Sequence, residues 1–136
     1  MHSTFNVLVV EDNPNVLDSL AIFVDHLPGS STFCANSYLA AANLLNSLSR
    51  VDLLLCDVIL RDEMDGIDVA ELAVKMHPDI AVVLFSAERM SEIEGLADRY
   101  SFIRKPFGRE EIMAHIDRAF LHLHPNQTIE DSRSDK

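Results

Sequence analysis

The stretch Val51-Asp52-Leu53-Leu54-Leu55-Cys56-Asp57 decides the fold. Its apolar residues follow one another instead of alternating with polar ones, which is typical of a strand covered on both faces, as in a parallel sheet. We therefore predict a central strand from 51 to 56, with the carboxylate of Asp57 at its carboxyl end.

Apolar runs of similar length recur on either side of this stretch, and segments with helical periodicity separate them. The predicted strands are 5–10, 32–35, 51–56, 80–85 and 100–103. The predicted helices are 14–27, 37–49, a third from the charged loop 61–66 to about 77, a short polar one at 88–98, and 109–123. This alternation predicts an α/β fold, a flavodoxin-like doubly wound (βα)5 sandwich with a five-stranded parallel sheet in the order 2-1-3-4-5.

Composition predicts one domain at 1–123, followed by a polar C-terminal tail or start of a linker at 124–136. The 136 residues include 22 acidic and 11 basic side chains, so direct binding of nucleic acid or of a membrane surface is not expected. No apolar run approaches the ~20 residues of a membrane span, and 1–10 lacks the pattern of a signal peptide. Cys34 and Cys56 form neither a disulfide framework nor a zinc site. We expect a cytoplasmic protein.

Polar side chains follow the predicted strands at their carboxyl ends, where functional groups collect in such sheets. Glu11 and Asp12 follow the first strand, Asp57 the third, Ser86 the fourth and Lys105 the last. Three carboxylates in one crevice suit a hard divalent cation, Mg²⁺ foremost. A carboxylate nucleophile, a divalent cation, a lysine and a hydroxyl donor are together the parts needed for phosphoryl transfer onto a carboxylate.

Five short motifs occur at these strand ends and in the loops beside them. They are Leu8-Val9-Val10-Glu11-Asp12-Asn13, Leu55-Cys56-Asp57, Met64-Asp65-Gly66, Phe85-Ser86-Ala87 and Lys105-Pro106-Phe107. Each motif is weak alone, but their order and spacing are specific. Over about 5–123, the chain resembles a receiver domain of two-component response regulators, in the chemotaxis-regulator-like family.

The resemblance implies a phosphoacceptor that works with a metal ion. Asp57 would take a phosphoryl group from a phosphohistidine on a sensor histidine kinase or a histidine phosphotransfer protein. Asp12 and Asp57 would ligate Mg²⁺, with Mn²⁺ as a substitute, together with the main-chain carbonyl of Ile59, and Glu11 would act through bound water. The expected result is a signalling switch that changes its surface for a downstream protein or an output domain.

The resemblance also assigns the switch itself. Lys105 would pair with Asp57 and then with the phosphoryl group, Ser86 would swing to bond a phosphoryl oxygen, and Phe102 would follow as a buried or exposed aromatic switch. The bond between Lys105 and Pro106 is expected to be cis. The chain would be no enzyme beyond catalysing its own phosphorylation and slow autodephosphorylation.

The sequence departs from the family in two loops. Arg61 stands where the family has a proline, in a loop that is about one residue longer than usual. The stretch from Ser86 to Lys105 is about three residues short, so we expect a shortened or displaced fourth helix, and the family's common dimer through that region is not expected to carry over. Ile59 and Glu88 hold the positions that tune dephosphorylation, and an apolar Ile59 predicts a long-lived phosphoryl group.

The residues allow simpler interpretations when they are taken singly. Asp12 or Asn13 could cap the first helix, Ser86 could cap the fourth, and Phe102 could be a core residue. The alternative function is a phosphorylation-independent, receiver-like interaction module. Such a module would usually have lost Asp57, Lys105 or the acidic pair Glu11 and Asp12. This sequence retains all four residues.

Overall fold

The structure is a computed structural model that describes residues 5–61, 63–93 and 95–123. Its elements are β1 Phe5–Val10, α1 Pro14–Asp25, β2 Ser30–Ala35, α2 Tyr38–Ser47, β3 Leu53–Asp57, α3 Gly66–Met76, β4 Ala81–Ser86, a 3-10 turn Met90–Glu92, β5 Ser101–Arg104 and α4 Arg109–Leu123. The polar tail predicted at 124–136 lies outside the described residues. No helix in the described ranges has both the length and the apolar character needed to cross a membrane.

The five strands form one parallel sheet in the order β2-β1-β3-β4-β5, which confirms the predicted fold class. The register aligns the carboxyl ends of neighbouring strands, since Val10 pairs with Cys56 and Asp57 pairs with Phe85. One edge of the sheet therefore collects the polar residues that follow these strands.

The sheet is covered on both faces, as the central apolar run predicts. Leu54 and Cys56 of β3 belong to a core shared with α2 and α3, whereas Leu53 and Leu55 belong to a core shared with α1 and α4. All four residues are fully buried. Because β3 is packed from both sides, the position of Asp57 at its end is set by the most buried part of the molecule.

Asn13, and not Asp12, caps α1. Its Oδ1 accepts hydrogen bonds from the main-chain N–H groups of Asn15 at 2.9 Å and Val16 at 3.3 Å, and Pro14 follows at the first helical position. This satisfies two of the amide groups that a helix start leaves without partners. The carboxylate of Asp12 therefore has no capping role in α1.

The prediction of a short helix at 88–98 is wrong. The described residues of this stretch contain only the 3-10 turn Met90–Glu92. Gly95 has φ +83°, a left-handed conformation that a right-handed helix cannot continue through. The expectation of a shortened fourth helix agrees with this finding.

Candidate functional site

Two buried carboxylates share one lysine at the carboxyl edge of the sheet. Glu11 directly follows β1 and Asp57 ends β3, and they are only 1% and 5% exposed. Lys105, beyond the end of β5, places its Nζ 2.7 Å from Asp57 Oδ2 and 3.2 Å from Glu11 Oε1. A buried charge needs a partner, and here one ammonium group serves two acids.

Main-chain amides hold the two remaining carboxylate oxygens. Ile59 N–H donates to Asp57 Oδ1 at 2.9 Å, and Asn13 N–H donates to Glu11 Oε2 at 3.0 Å. Each oxygen of both carboxylates thus accepts a hydrogen bond from a fixed donor. The orientation of Asp57 is therefore set before any ligand arrives.

The charges of these groups shift one another's protonation. Burial raises the pKa of Glu11, and the neighbouring Asp57 raises it further, against the opposing effects of the Asn13 amide and Lys105. Burial alone would lower the pKa of Lys105, but its hydrogen bond with Asp57 and its attraction to both acids outweigh burial and raise it. Lys105 is therefore a cation at neutral pH, and the site keeps a surplus of negative charge.

Asp12 contacts Arg61, whereas Glu11 and Asp57 contact Lys105. Its Oδ2 accepts a hydrogen bond from the main-chain N–H of Arg61 at 2.8 Å and lies 3.7 Å from the guanidinium Nε of the same residue. Within 5–61, 63–93 and 95–123, no three histidine, cysteine, aspartate or glutamate side chains form a group that could hold a metal ion. The three predicted acids are therefore divided in their contacts, with Glu11 and Asp57 on Lys105 and Asp12 on Arg61.

Ser86 ends β4 and is fully buried. Its Oγ accepts a hydrogen bond from Glu88 N–H at 3.1 Å, and its main-chain carbonyl accepts one from Lys105 N–H at 2.8 Å. The serine thus joins the loop after β4 to the loop after β5. No α-helix lies between β4 and β5 in the described residues, so the capping role considered for Ser86 reduces to this local turn.

The remaining predicted residues surround this centre. Phe102 lies on β5, half-buried against the core shared with α2 and α3. Ile59 has 49% of its surface exposed beside Asp57, and Glu88 is exposed. The bond between Lys105 and Pro106 is cis, as the resemblance implied.

Sequence reasoning missed the role of Gly66, which it used only as part of the motif Met64-Asp65-Gly66. A Cβ atom on this residue would lie 2.0 Å from the main-chain oxygen of Asp57 and 2.7 Å from Val58 Cα. Gly66 N–H also donates to the carbonyl of Val58 at 2.7 Å. Only glycine allows α3 to begin this close to the end of β3, and no feature of the local pattern announces that contact.

Phe85 is a second residue whose contribution the sequence does not reveal. The Nζ of Lys105 lies 5.4 Å from the centroid of its ring, within the range of a cation–π contact. The same ring packs edge-on against Phe107 with centroids 5.6 Å apart. The Phe85 ring therefore contacts the Lys105 ammonium group and is itself packed against Phe107.

This sheet and site define a class of protein: the chain belongs to the response regulator receiver domain family, whose profile matches residues 7–117. It is 23% identical over 130 residues to the nitrogen assimilation regulatory protein NtrX of Azorhizobium caulinodans, covering 93% of this chain and 28% of the relative. It is 28% identical over 121 residues to the transcriptional regulatory protein GlrR of Escherichia coli K12, covering 87% of this chain and 27% of the relative. The chain thus spans little more than a quarter of these relatives.

Solved structures share the fold. A response regulator receiver protein from Sinorhizobium medicae superposes with a TM-score of 0.80 at 18% identity, over 88% of this chain and 97% of that one. A CheY-like receiver domain protein from Methanospirillum hungatei superposes with a TM-score of 0.77 at 20% identity. The match covers 92% of this chain and 100% of that one. At these identities the likeness is one of fold, and it agrees with the observed strand order.

Proposed function

We propose that the chain is the phosphoacceptor switch of a two-component or phosphorelay system. In this proposal Asp57 accepts a phosphoryl group from a phosphohistidine and the protein then changes the surface it offers to its partners. One observation carries the proposal. The Asp57 carboxylate is buried at the carboxyl end of the central strand, oriented by an amide and paired with Lys105 Nζ at 2.7 Å.

The transfer requires an ionised carboxylate and a positive group beside it. One oxygen of Asp57 forms a bond to phosphorus while the bond from phosphorus to the imidazole nitrogen breaks, and the electron pair of that bond stays on the imidazole. Lys105 neutralises charge that develops on the phosphoryl oxygens. The amide of Ile59 holds the carboxylate in one orientation during the attack.

The donor set fits a magnesium ion, for which manganese is a substitute. Asp12, Asp57, the main-chain carbonyl of Ile59 and, through water, Glu11 would offer oxygen atoms only, which hard divalent cations prefer. The surplus of carboxylates over lysine also favours an added cation. When bound, the cation supplies further neutralisation of the transferred group's charge.

The response to phosphorylation would involve Ser86 at the end of β4 and Phe102 on β5. The Oγ of Ser86 accepts a hydrogen bond from Glu88 N–H, which leaves its hydroxyl proton available for a phosphoryl oxygen. Phe102 is half-buried, so an inward movement would increase its packing. Phosphorylation would favour the conformation in which both have moved inward.

The partner that delivers the phosphoryl group would be a sensor histidine kinase or a histidine phosphotransfer protein. A groove of about 570 Å³ between α1 and α4 begins beside Lys105 and is lined by apolar side chains such as Ile22, Phe23 and Phe107. Ile22 is 60% exposed at this groove. A partner helix seated there would bring its phosphohistidine towards Asp57.

The same proposal covers the protein's place in the cell. It acts in the cytoplasm and has no enzymatic activity beyond its own phosphorylation and slow autodephosphorylation. It binds no nucleic acid directly through the described region, whose strand-end site is acidic. The downstream target is a protein partner or an output domain, in keeping with relatives that are regulators more than three times as long.

Incubation with acetyl phosphate tests the function directly. We expect intact mass spectrometry to record a gain of one phosphoryl group with Mg²⁺ and none with EDTA. Asp57→Asn should abolish the gain, whereas Asp79→Asn, an exposed aspartate just before β4 at the opposite edge of the sheet, should retain it. If no gain occurs with Mg²⁺, or with a histidine kinase as donor, the phosphorylation-independent interaction module becomes the better description.

A further inference from the structure

We propose that Arg61 is an internal competitor of the metal ion for Asp12, so that this arginine weakens the divalent-cation affinity of the site. The inference rests on the proposed function, because it takes Asp12 as a metal ligand. It adds a role for a residue of the loop after β3 that the strand-end pattern does not include.

The contact combines a main-chain and a side-chain donor from one residue. The N–H of Arg61 lies 2.8 Å from Asp12 Oδ2, and the guanidinium Nε lies 3.7 Å from the same oxygen. The Asp12 side chain is only 16% exposed, whereas that of Arg61 is 84% exposed. The Asp12 carboxylate thus contacts a side chain, that of Arg61, which can rotate into solvent.

The three acids of the site are divided between two positive groups. Lys105 lies within 3.2 Å of both Glu11 and Asp57, while Asp12 is held by Arg61 alone among the contacts described. This division agrees with the finding that, in the described parts of the chain, no three such side chains form a group that could hold a metal ion. Both Arg61 contacts are to Oδ2 of Asp12, so a dication that takes this oxygen as its ligand must displace at least part of the Arg61 contact.

The two parts of the contact differ in strength. The guanidinium is exposed and 3.7 Å away, so its attraction to Asp12 is screened by water. The amide makes a short hydrogen bond to a charged acceptor, which is the stronger type. Substitutions at one position can separate the two, because glutamine removes only the charge and proline removes the N–H as well.

We expect Arg61→Gln to bind Mg²⁺ and Mn²⁺ about two- to fivefold more tightly than the wild type, as suits an exposed ion pair. Arg61→Pro should bind about tenfold more tightly, because it lacks the amide donor too. Arg50→Gln is the matched control. It makes the same change of net charge at the opposite edge of the sheet, where Arg50 pairs with Asp52 at 3.0 Å, and its affinity should equal that of the wild type.

The measurement uses the metal alone, with no phosphodonor. Calorimetry gives the Mg²⁺ affinity, and the electron paramagnetic resonance signal of free Mn²⁺ gives an independent value. Nuclear magnetic resonance adds a structural readout, since the amide signal of Arg61 in the wild type should shift on Mg²⁺ binding as its hydrogen bond to Asp12 weakens. Circular dichroism of each variant verifies that it is folded, and Arg61→Gln decides the question if the proline variant does not fold.

The possible results distinguish this inference from the proposed function. Tighter binding by Arg61→Gln, or binding that only the Arg61 variants show, supports the inference. If the wild type binds Mg²⁺ but Arg61→Gln binds equally, or Arg50→Gln tightens as much, the inference is wrong while the proposed metal site stands. An unmoved Arg61 amide signal at saturating Mg²⁺ also overturns it. Absence of binding in every variant overturns both.

Discussion

Replacing Gly66 by alanine tests the packing that holds α3 against the end of β3. The new Cβ atom would lie 2.0 Å from the main-chain oxygen of Asp57 and 2.7 Å from Val58 Cα, whereas ordinary contacts begin at 3.4 Å. Both neighbours are main-chain atoms of a buried strand end, so neither can rotate away. The first turn of α3 must therefore withdraw from β3.

The cost follows from two effects of this withdrawal. Overpacking a well-packed position costs about 1–3 kcal/mol even when side chains can adjust. The withdrawal also breaks the 2.7 Å hydrogen bond from Gly66 N–H to the Val58 carbonyl. Leaving buried polar groups without partners costs about 1–3 kcal/mol. Together these predict a loss of about 2–6 kcal/mol, which for a domain of this size lowers Tm by roughly 6–25 °C.

Thermal unfolding followed by far-UV circular dichroism measures this loss. Gly108→Ala is the matched control, because a Cβ atom there meets nothing within 4 Å and its φ is not left-handed. It should change stability by less than about 1 kcal/mol, as expected for an alanine at the helix start. If Gly66→Ala melts within about 2 °C of the wild type, the close main-chain approach does not constrain the fold as argued.

Three further predictions concern the site and the thiols. Lys105→Ala should slow phosphorylation by acetyl phosphate about 10- to 100-fold, because a charge-assisted hydrogen bond is lost. Ile59→Asn should shorten the phosphoryl lifetime in a phosphate-release time course, because an amide can orient an attacking water and the wild-type isoleucine cannot. In the native protein Cys34 should react with iodoacetamide while Cys56, fully buried, should not. Since burial and nearby aspartates raise the pKa of Cys34, its reaction should be slow at pH 7 and accelerate as the pH rises and the thiolate forms.

Each of these predictions has its own control. Lys75→Ala removes an exposed lysine from the last turn of α3 and should leave phosphorylation unchanged. A wild-type phosphoryl lifetime of seconds would contradict the assigned effect of Ile59. Denaturant should make Cys56 reactive, and equal rates for both thiols in the native state would show that β3 opens far more readily than its packing indicates.

The order of the elements could be predicted because it rests on local patterns. The consecutive apolar residues of β3 and the helical periodicity of α1 each report burial within a few residues of sequence. The error at 88–98 has a local cause as well, since Gly95 adopts φ +83° and ends any helix there. A lone glycine is tolerated in many helical patterns, so its sequence context alone did not reveal that conformation.

The gathering of the polar residues at one edge could also be predicted, because parallel strands end at the same side of a sheet. The pairing of Lys105 with Asp57 was predicted too, from the resemblance, but the contact of Asp12 with Arg61 could not be. Asn13 and Asp12 are adjacent and both are good capping residues, yet only Asn13 caps α1. The choice depends on what else lies within reach of each side chain after folding.

The sequence by itself determined the alternation of strands and helices, the burial of β3 on both faces, and the edge at which Asp57 and Lys105 meet. Only the tertiary structure decided that Arg61 holds Asp12 from 49 residues away and that Gly66 must lie against the main chain of Asp57. The physical reason is the separation along the chain over which each property is determined. Periodicity records whether a residue is buried, whereas its bonding partner and its clearance depend on distant segments that only packing brings within a few ångströms.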